Sequence, residues 1–213
     1  MKSLDSLQKL NLDIRRTILL GADIRHWGLP EFRIVSSNEF RVADANKVNV
    51  VEVYSFPPRP GEKVHRIATV GMSGAEREDG SKTDYELFMT LPADLGGATF
   101  AQVAAFLMEL FVYSLQRDVP IEAGQTIPEL QSVPASWKPR ALLLDEARGE
   151  PEELGHLHVG RSAVGLLWVI PIYVEEYDLI QKEGVEAFDA LDDKSEWSLA
   201  DVNRPSLVTP VTA

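Results

Sequence analysis

Leu166–Glu176, LLWVIPIYVEE, is the most apolar stretch of this chain, and it stops abruptly in two carboxylates. An apolar run that breaks at charged residues reads as a buried strand running out to the surface. Pro171 has no N–H to give to a ladder, so it belongs at an edge, an end or a bulge. About a hundred residues earlier, Ile67–Gly74 (IATVGMSG) has the same form and ends in a Gly/Ser turn. Val48–Phe56 (VNVVEVYSF) is β-rich and ends at Pro57–Pro58, and Arg66–Ser73 follows after a short polar connection. The two predict an antiparallel hairpin. Tyr85, Leu87, Met89 and Leu91 alternate onto one face and extend the hairpin into a meander, closed by Pro92 and Gly96–Gly97. HWGLPEFRIV (26–35) and Ala141–Leu144 supply further short strands.

Helical spacing appears in three places. Leu4, Leu7, Leu10, Ile14 and Ile18 form one stripe with Gly21 as its stop, which reads as a helix docked on the core more readily than as a free partner-binding helix. Thr99 and Gln102 have capping-box spacing, opening a helix to about Gln116. Glu109 is its one charged residue between Phe100 and Leu115, so it should be buried all round, with Phe106, Met108 and Phe111 as anchors. Val174–Glu183 is helical, breaks at Gly184 and resumes over Val185–Asp193. Met72–Asp84, with the five acidic residues Glu76, Glu78, Asp79, Asp84 and Glu86 around it, reads as a mobile polar loop. Pro120–Pro139 reads as a surface excursion, Glu146–Glu153 as an acidic turn, and the stretch from Ser198 as poorly ordered. The order predicts an α+β fold, helices packed on a mainly antiparallel mixed sheet. It comprises an N-terminal lead-in (1–30), one domain (31–195) and a tail (196–213).

The 213 residues carry 21 basic and 33 acidic side chains, a net charge of −12. That repels nucleic acid and anionic membrane, and it serves solubility or a basic partner. With no cysteine there is no disulfide and no thiolate metal site, which fits a reducing cytoplasm. No apolar run approaches the roughly 18 residues of a membrane span, and the N-terminus lacks the apolar core of a secretion signal.

Catalytic patterns are incomplete. GMSGA (71–75) puts Ala75 where a nucleophile elbow needs Gly, and no histidine follows in triad order. GSKT (80–83) lacks the glycine spacing of a phosphate loop. His156 and His158 would share a strand face and could hold a metal, but two histidines in a polar turn are more often simply solvated. The carboxylate pairs Glu152/Glu153, Glu175/Glu176 and Asp192/Asp193 point different ways as neighbours, hence read as solvated faces. Glu175 and Glu176 stand apart because they open a helix, where the dipole favours negative charge.

Taken in order, VNVVEVYSFPP, IATVGMSG, YELFMTLP, the long helix, AGQTIP, ALLLDE and LLWVIPIYVEEYDLIQKEGVEAF resemble the suppressor-of-fused domain family, from Asn46 to Leu191. The resemblance implies an α+β sandwich of the bacterial single-domain form, non-enzymatic and without cofactor. Such bacterial members are placed, from gene context, among immunity proteins that neutralise toxins. Animal members contact a peptide partly through a Tyr at the end of the long helix and an Asp twelve residues on. Tyr113 matches the first, whereas Gln125 stands at the second, which puts the same ligand in doubt while keeping a groove between the long helix and the Gly124 turn. The family's Met-Ser turn is often followed by Asp, here Gly74. These matches make Met72, Ser73, Tyr113, Gln125, Tyr173, Glu175 and Glu176 the candidate contact residues for another protein, basic in character, in the cytoplasm. Self-association is left open, and the alternative is an enzyme using the acidic residues or the H-x-H pair with a metal.

Overall fold

In the computed structural model, which describes residues 6–42, 45–77, 79–116 and 121–208, eight strands form one sheet. The strands are β1 (Phe32–Val42), β2 (Ala45–Phe56), β3 (Val64–Val70), β4 (Tyr85–Pro92), β5 (Thr126–Ile127), β6 (Ala141–Glu146), β7 (Leu157–Val159) and β8 (Ser162–Ile172). The helices are α1 (Ser6–Arg15), α2 (Gly21–Trp27), α3 (Phe100–Leu115), α4 (Glu152–Gly155), α5 (Val174–Glu183) and α6 (Val185–Asp192). The meander β1-β2-β3-β4 is antiparallel throughout, β4 meets β8 in parallel, and β6 then β5 complete the order, with β7 folded onto β8. β4 pairs with β8 only as far as Trp168, so Pro171 sits past the point where that neighbour would need its N–H.

Both sheet faces are covered. On one, α3 packs Val103, Phe106, Leu107, Leu110 and Phe111 against Val51, Ile67, Leu87, Met89, Leu144 and Val169. On the other, Leu19, Ala22 and Trp27 cover Tyr54, Phe56, Ala68 and Phe88, while Ile180 and Phe188 of α5 and α6 cover Ala141, Leu143, Ile170 and Ile172. The central strands therefore lack polar alternation because each has two buried faces. Thr99 caps α3 as the spacing predicts: Gln102 N–H donates to Thr99 Oγ1 at 3.3 Å, and Thr99 N–H to Gln102 Oε1 at 2.8 Å.

Five expectations change. Gly21 does not end the first helix; a π-helical turn over Arg16–Leu20 carries it into α2, which stops at Gly28 with φ +91°. That wider turn shifts the helical phase. Leu7, Leu10 and Ile14 are consequently exposed while Leu19 is buried (Leu4 lies outside the described residues). Nor is α3 buried all round: Ala101, Gln102, Ala105 and Glu109 face out, small residues supplying the solvent side, and Met108 is only partly covered. The Met72–Asp84 segment is packed rather than loose, with Met72, Ser73, Ala75, Arg77 and Thr83 all buried (Glu78 lies outside the described residues). The excursion after Pro120 is stapled by Ile121, Ile127, Val133 and Trp137. Trp137 donates to the Leu95 carbonyl at 2.9 Å and meets Phe106 edge-on. Finally, the tail folds back through residue 208, burying Leu199, Ala200, Val202 and Arg204. Its anchors are single side chains without periodicity, which a pattern reading cannot register; 209–213 lie outside the described residues.

Candidate functional site

The Met72–Ser73 turn is built around a carboxylate. Gly71 leaves β3 with φ +108°, and the N–H groups of Gly71, Met72 and Ser73 converge on Glu86 at 2.9, 3.1 and 2.9 Å. Ser73 Oγ and Thr69 Oγ1 add donations of 2.6 and 2.8 Å. Successive amides curled this way make an anion nest, and here the chain's own side chain occupies it. Burial pushes the Glu86 carboxyl up while these donors pull it back. Arg15 Nη1 donates to Ser73 Oγ at 2.9 Å and ties α1 to the turn. Met72 and Ser73 thus hold the fold from inside and present no surface.

Glu176 is also internal. Its Oε2 accepts from Tyr173 N–H at 2.9 Å, closing the first turn of α5, and its Oε1 accepts from Leu207 N–H at 2.7 Å. The Arg204 guanidinium grips both oxygens, and the same cation lies 5.6 Å from the centre of the Tyr173 ring, whose hydroxyl donates to the Arg204 carbonyl. Two of the residues singled out at this corner therefore form a socket for the tail, and only Glu175 is exposed. No sequence pattern announces Arg204, an isolated Arg in a Pro/Ser-rich stretch.

Tyr113 is half-buried against the α3-side core. One residue on, the Ser114 carbonyl accepts from Arg77 Nη1 at 3.2 Å, so the segment after β3 is pinned to the C-terminal end of α3, where the dipole favours a cation. Gln125 is half-buried in a run beside β6: Gly124 N–H donates to the Leu144 carbonyl at 2.8 Å, and Leu144 N–H donates to the Gln125 carbonyl at 2.8 Å. Gln181 of α5 then reaches Thr126 Oγ1 at 2.6 Å. The structure thereby joins the Met72–Ser73 segment to the end of α3, and the Gln125 run to α5.

The exposed chemistry lies elsewhere on α5 and α6. Glu175, Asp178, Glu183, Glu186, Asp193 and Glu196 are exposed, Asp189 and Asp192 are half-buried, and Lys182 and Lys194 are the two basic residues of that stretch. Asp189 is held by Arg148 at 2.8 Å, which also reaches Asp145 at 2.7 Å. Burial pushes the Asp192 carboxyl up; Arg148 and Arg204 oppose the shift, and Asp193 and Asp189 add to it. Val174 and Trp197 flank the hairpin with apolar surface, 50% and 46% exposed. By sequence alone Asp192 and Asp193 read as a solvated face, and only Glu175 and Glu176 stand apart. The gathering of acidic residues here was nevertheless visible in the ratio of acids to lysines. His156 and His158 are exposed, with His158 Nδ1 placed 3.2 Å from the His156 carbonyl. Among the described residues, no three His, Asp or Glu side chains form a group that could hold a metal ion, and no helix is long and apolar enough to cross a membrane.

Among solved structures, the chain is similar to a suppressor of fused homologue from Neisseria gonorrhoeae FA 1090 (TM-score 0.66, 16% identity, 93% of this chain and 98% of that one). It is also similar to a chain of the Sufu–Fu complex (TM-score 0.60, 15% identity, 94% and 91%). Drosophila Suppressor of Fused matches with TM-score 0.60 and 14% identity over 92% of this chain, which spans 50% of that protein. No curated protein sequence matches. The sequence profile of the family described as Suppressor of fused protein (SUFU) matches residues 47–205, ending one residue beyond the Arg204 clamp. This chain belongs to the suppressor of fused family.

Proposed function

We propose that this chain is a non-enzymatic protein-binding domain whose α5–α6 face captures a basic partner, in the manner of an immunity protein that neutralises a toxin by covering its active site. The observation that carries the reading is the placing of Asp189, Asp192 and Asp193 in and just after the last turn of α6, which has no basic residue. Negative charge at a helix C-terminus opposes the dipole, and like charges four apart repel; Arg148 offsets this at Asp189, whereas Asp193 stands exposed beyond the helix end. A basic partner surface turns both costs into attraction and speeds encounter through the −12 field of the chain. Val174 and Trp197 supply the apolar contact that charge by itself lacks. The family supports the reading: one solved relative is a chain of the Sufu–Fu complex.

The test is co-purification from the native host at low and high salt, with the wild-type chain beside a triple reversal, Asp178→Lys, Glu186→Lys and Asp193→Lys. A stoichiometric basic protein retained at low salt, shed at high salt and lost by the triple variant is the expected result. Reversal of Glu109 on α3, across the sheet, should leave it bound. A partner indifferent to the triple reversal would overturn the proposal.

A further inference from the structure

The first helix turns its polar side inward. None of the α1 side chains is buried, and Leu7, Leu10 and Ile14 face solvent. Gln8, Asn11 and Arg15 instead line a cleft of about 140 Å³ shared with the Ser73–Gly74 turn. An amphipathic helix ordinarily lays its apolar stripe on the core. Arg15 is half-buried in this cleft, and its Nη1 donates to Ser73 Oγ. Arg16, Arg66, Arg140 and Arg204 each hold a carboxylate, whereas Arg15 holds none among the described residues. The opposite charge acting on it is that of Glu86, reached through the Ser73 hydroxyl. Burial holds the guanidinium below its ordinary value, and Glu86 offsets only part of that shift. Gly74 makes room for the cation: its φ is +80°, and a Cβ there would overlap Nη2, Cζ and Nε of Arg15.

We propose that this cleft binds a small monocarboxylate, acetate- to butyrate-sized, with Arg15 as the main cation and Lys82 as the outer one. A planar guanidinium pairs with a carboxylate through two parallel N–H···O bonds, and Arg15 uses one of its five N–H groups on Ser73. Lys82 lines the same cleft from an exposed position, and so does Glu76, whose backbone bridges to it. Two cations against one carboxylate leave a single positive charge, which suits a monoanion. Glu86, already held by five donations behind Ser73, further disfavours a dianion such as phosphate. Leu12 and Val50 supply an apolar wall for a short carbon tail. A charged guest also accounts for α1 keeping its polar side inward, since an apolar side there would leave the guest without partners. The site is independent of the α5–α6 face and of any protein partner.

The test is titration of the ¹⁵N-labelled full chain with sodium acetate and sodium butyrate, ionic strength being held constant with sodium chloride. The Ser73 and Gly74 amides and the Arg15 Nε–H should shift saturably, at about millimolar affinity, with butyrate the tighter ligand. Arg15→Gln should weaken binding by more than about tenfold. Because that change also loosens α1, Lys82→Gln serves beside it: it leaves the turn untouched and should weaken binding about threefold. Arg15→Lys, which keeps the charge but not the fork, should recover part of the loss. No shift, shifts that grow without saturating or that chloride reproduces, or binding that survives both Arg15→Gln and Lys82→Gln would each overturn the proposal. Phosphate binding more tightly than acetate would overturn the choice of a monocarboxylate.

Discussion

Arg204 holds Glu176 through two hydrogen bonds, 2.6 and 2.8 Å, with both side chains 0% exposed. This pair closes the C-terminal tail onto the first turn of α5, below the acidic face. Removing the cation leaves a buried carboxylate uncompensated, so Arg204→Ala should cost about 3–5 kcal/mol in urea unfolding. Replacing both residues by Met should recover part of that, though not all, because the N–H groups of Tyr173 and Leu207 lose their acceptor. A cost below about 1 kcal/mol for Arg204→Ala would show that the tail is not anchored this way.

Asp23 of α2 is 4% exposed and lines a small cavity with Leu19, Leu154, Val164, Thr69 and Glu86. Burial pushes its carboxyl well above the ordinary 3.8, and the charges of Glu86 and Glu150 add to the shift. Below 3.8 both folded and unfolded chains hold the proton. As pH rises the unfolded chain releases it first, so stability falls until pH passes the folded-state value. Asp23→Asn should leave Tm unchanged near pH 3.5 and raise it at pH 7, by roughly 2–4 °C for each kcal/mol regained. Equal shifts at both pH values would refute the assignment.

Gly71 has φ +108°, and a Cβ there would stand 2.6 Å from the Val50 carbonyl oxygen and 3.2 Å from a Leu12 methyl group. Backbone cannot yield as a side chain can, and the same turn aims three amides at Glu86. Gly71→Ala should destabilise by about 1–3 kcal/mol, with faster hydrogen exchange in α1 as the Arg15–Ser73 tie loosens. Unchanged exchange in α1 would separate that helix from the turn.

Asp193 should show a trade between stability and binding. Asp193→Lys removes repulsion with Asp189 and complements the end of α6, so it should stabilise the isolated domain by about 0.5 kcal/mol at low salt and by less at high salt. The same variant should release a basic partner. Loss of stability together with unaltered binding would argue against an acidic docking face.

Local rules were enough for the elements whose cues lie within a few residues. The two-faced burial of β3, β4 and β8 shows in IATV, LFM and LLWVI, the opening of α3 in Thr99 and Gln102, and the break between α5 and α6 in Gly184. These cues are periodicity and capping, which depend on neighbours along the chain. The ordered blocks likewise carried the family. What tertiary structure alone decided is where isolated polar side chains go. Met72, Ser73 and Glu176 read as surface because Met-Ser-Gly and Glu-Glu sit at the ends of strands. They are interior because Glu86 collects three amides from one turn and Arg204 returns from 28 residues away to neutralise Glu176. Such pairings stabilise only when both partners are desolvated together, and nothing in the local sequence of either partner encodes the other.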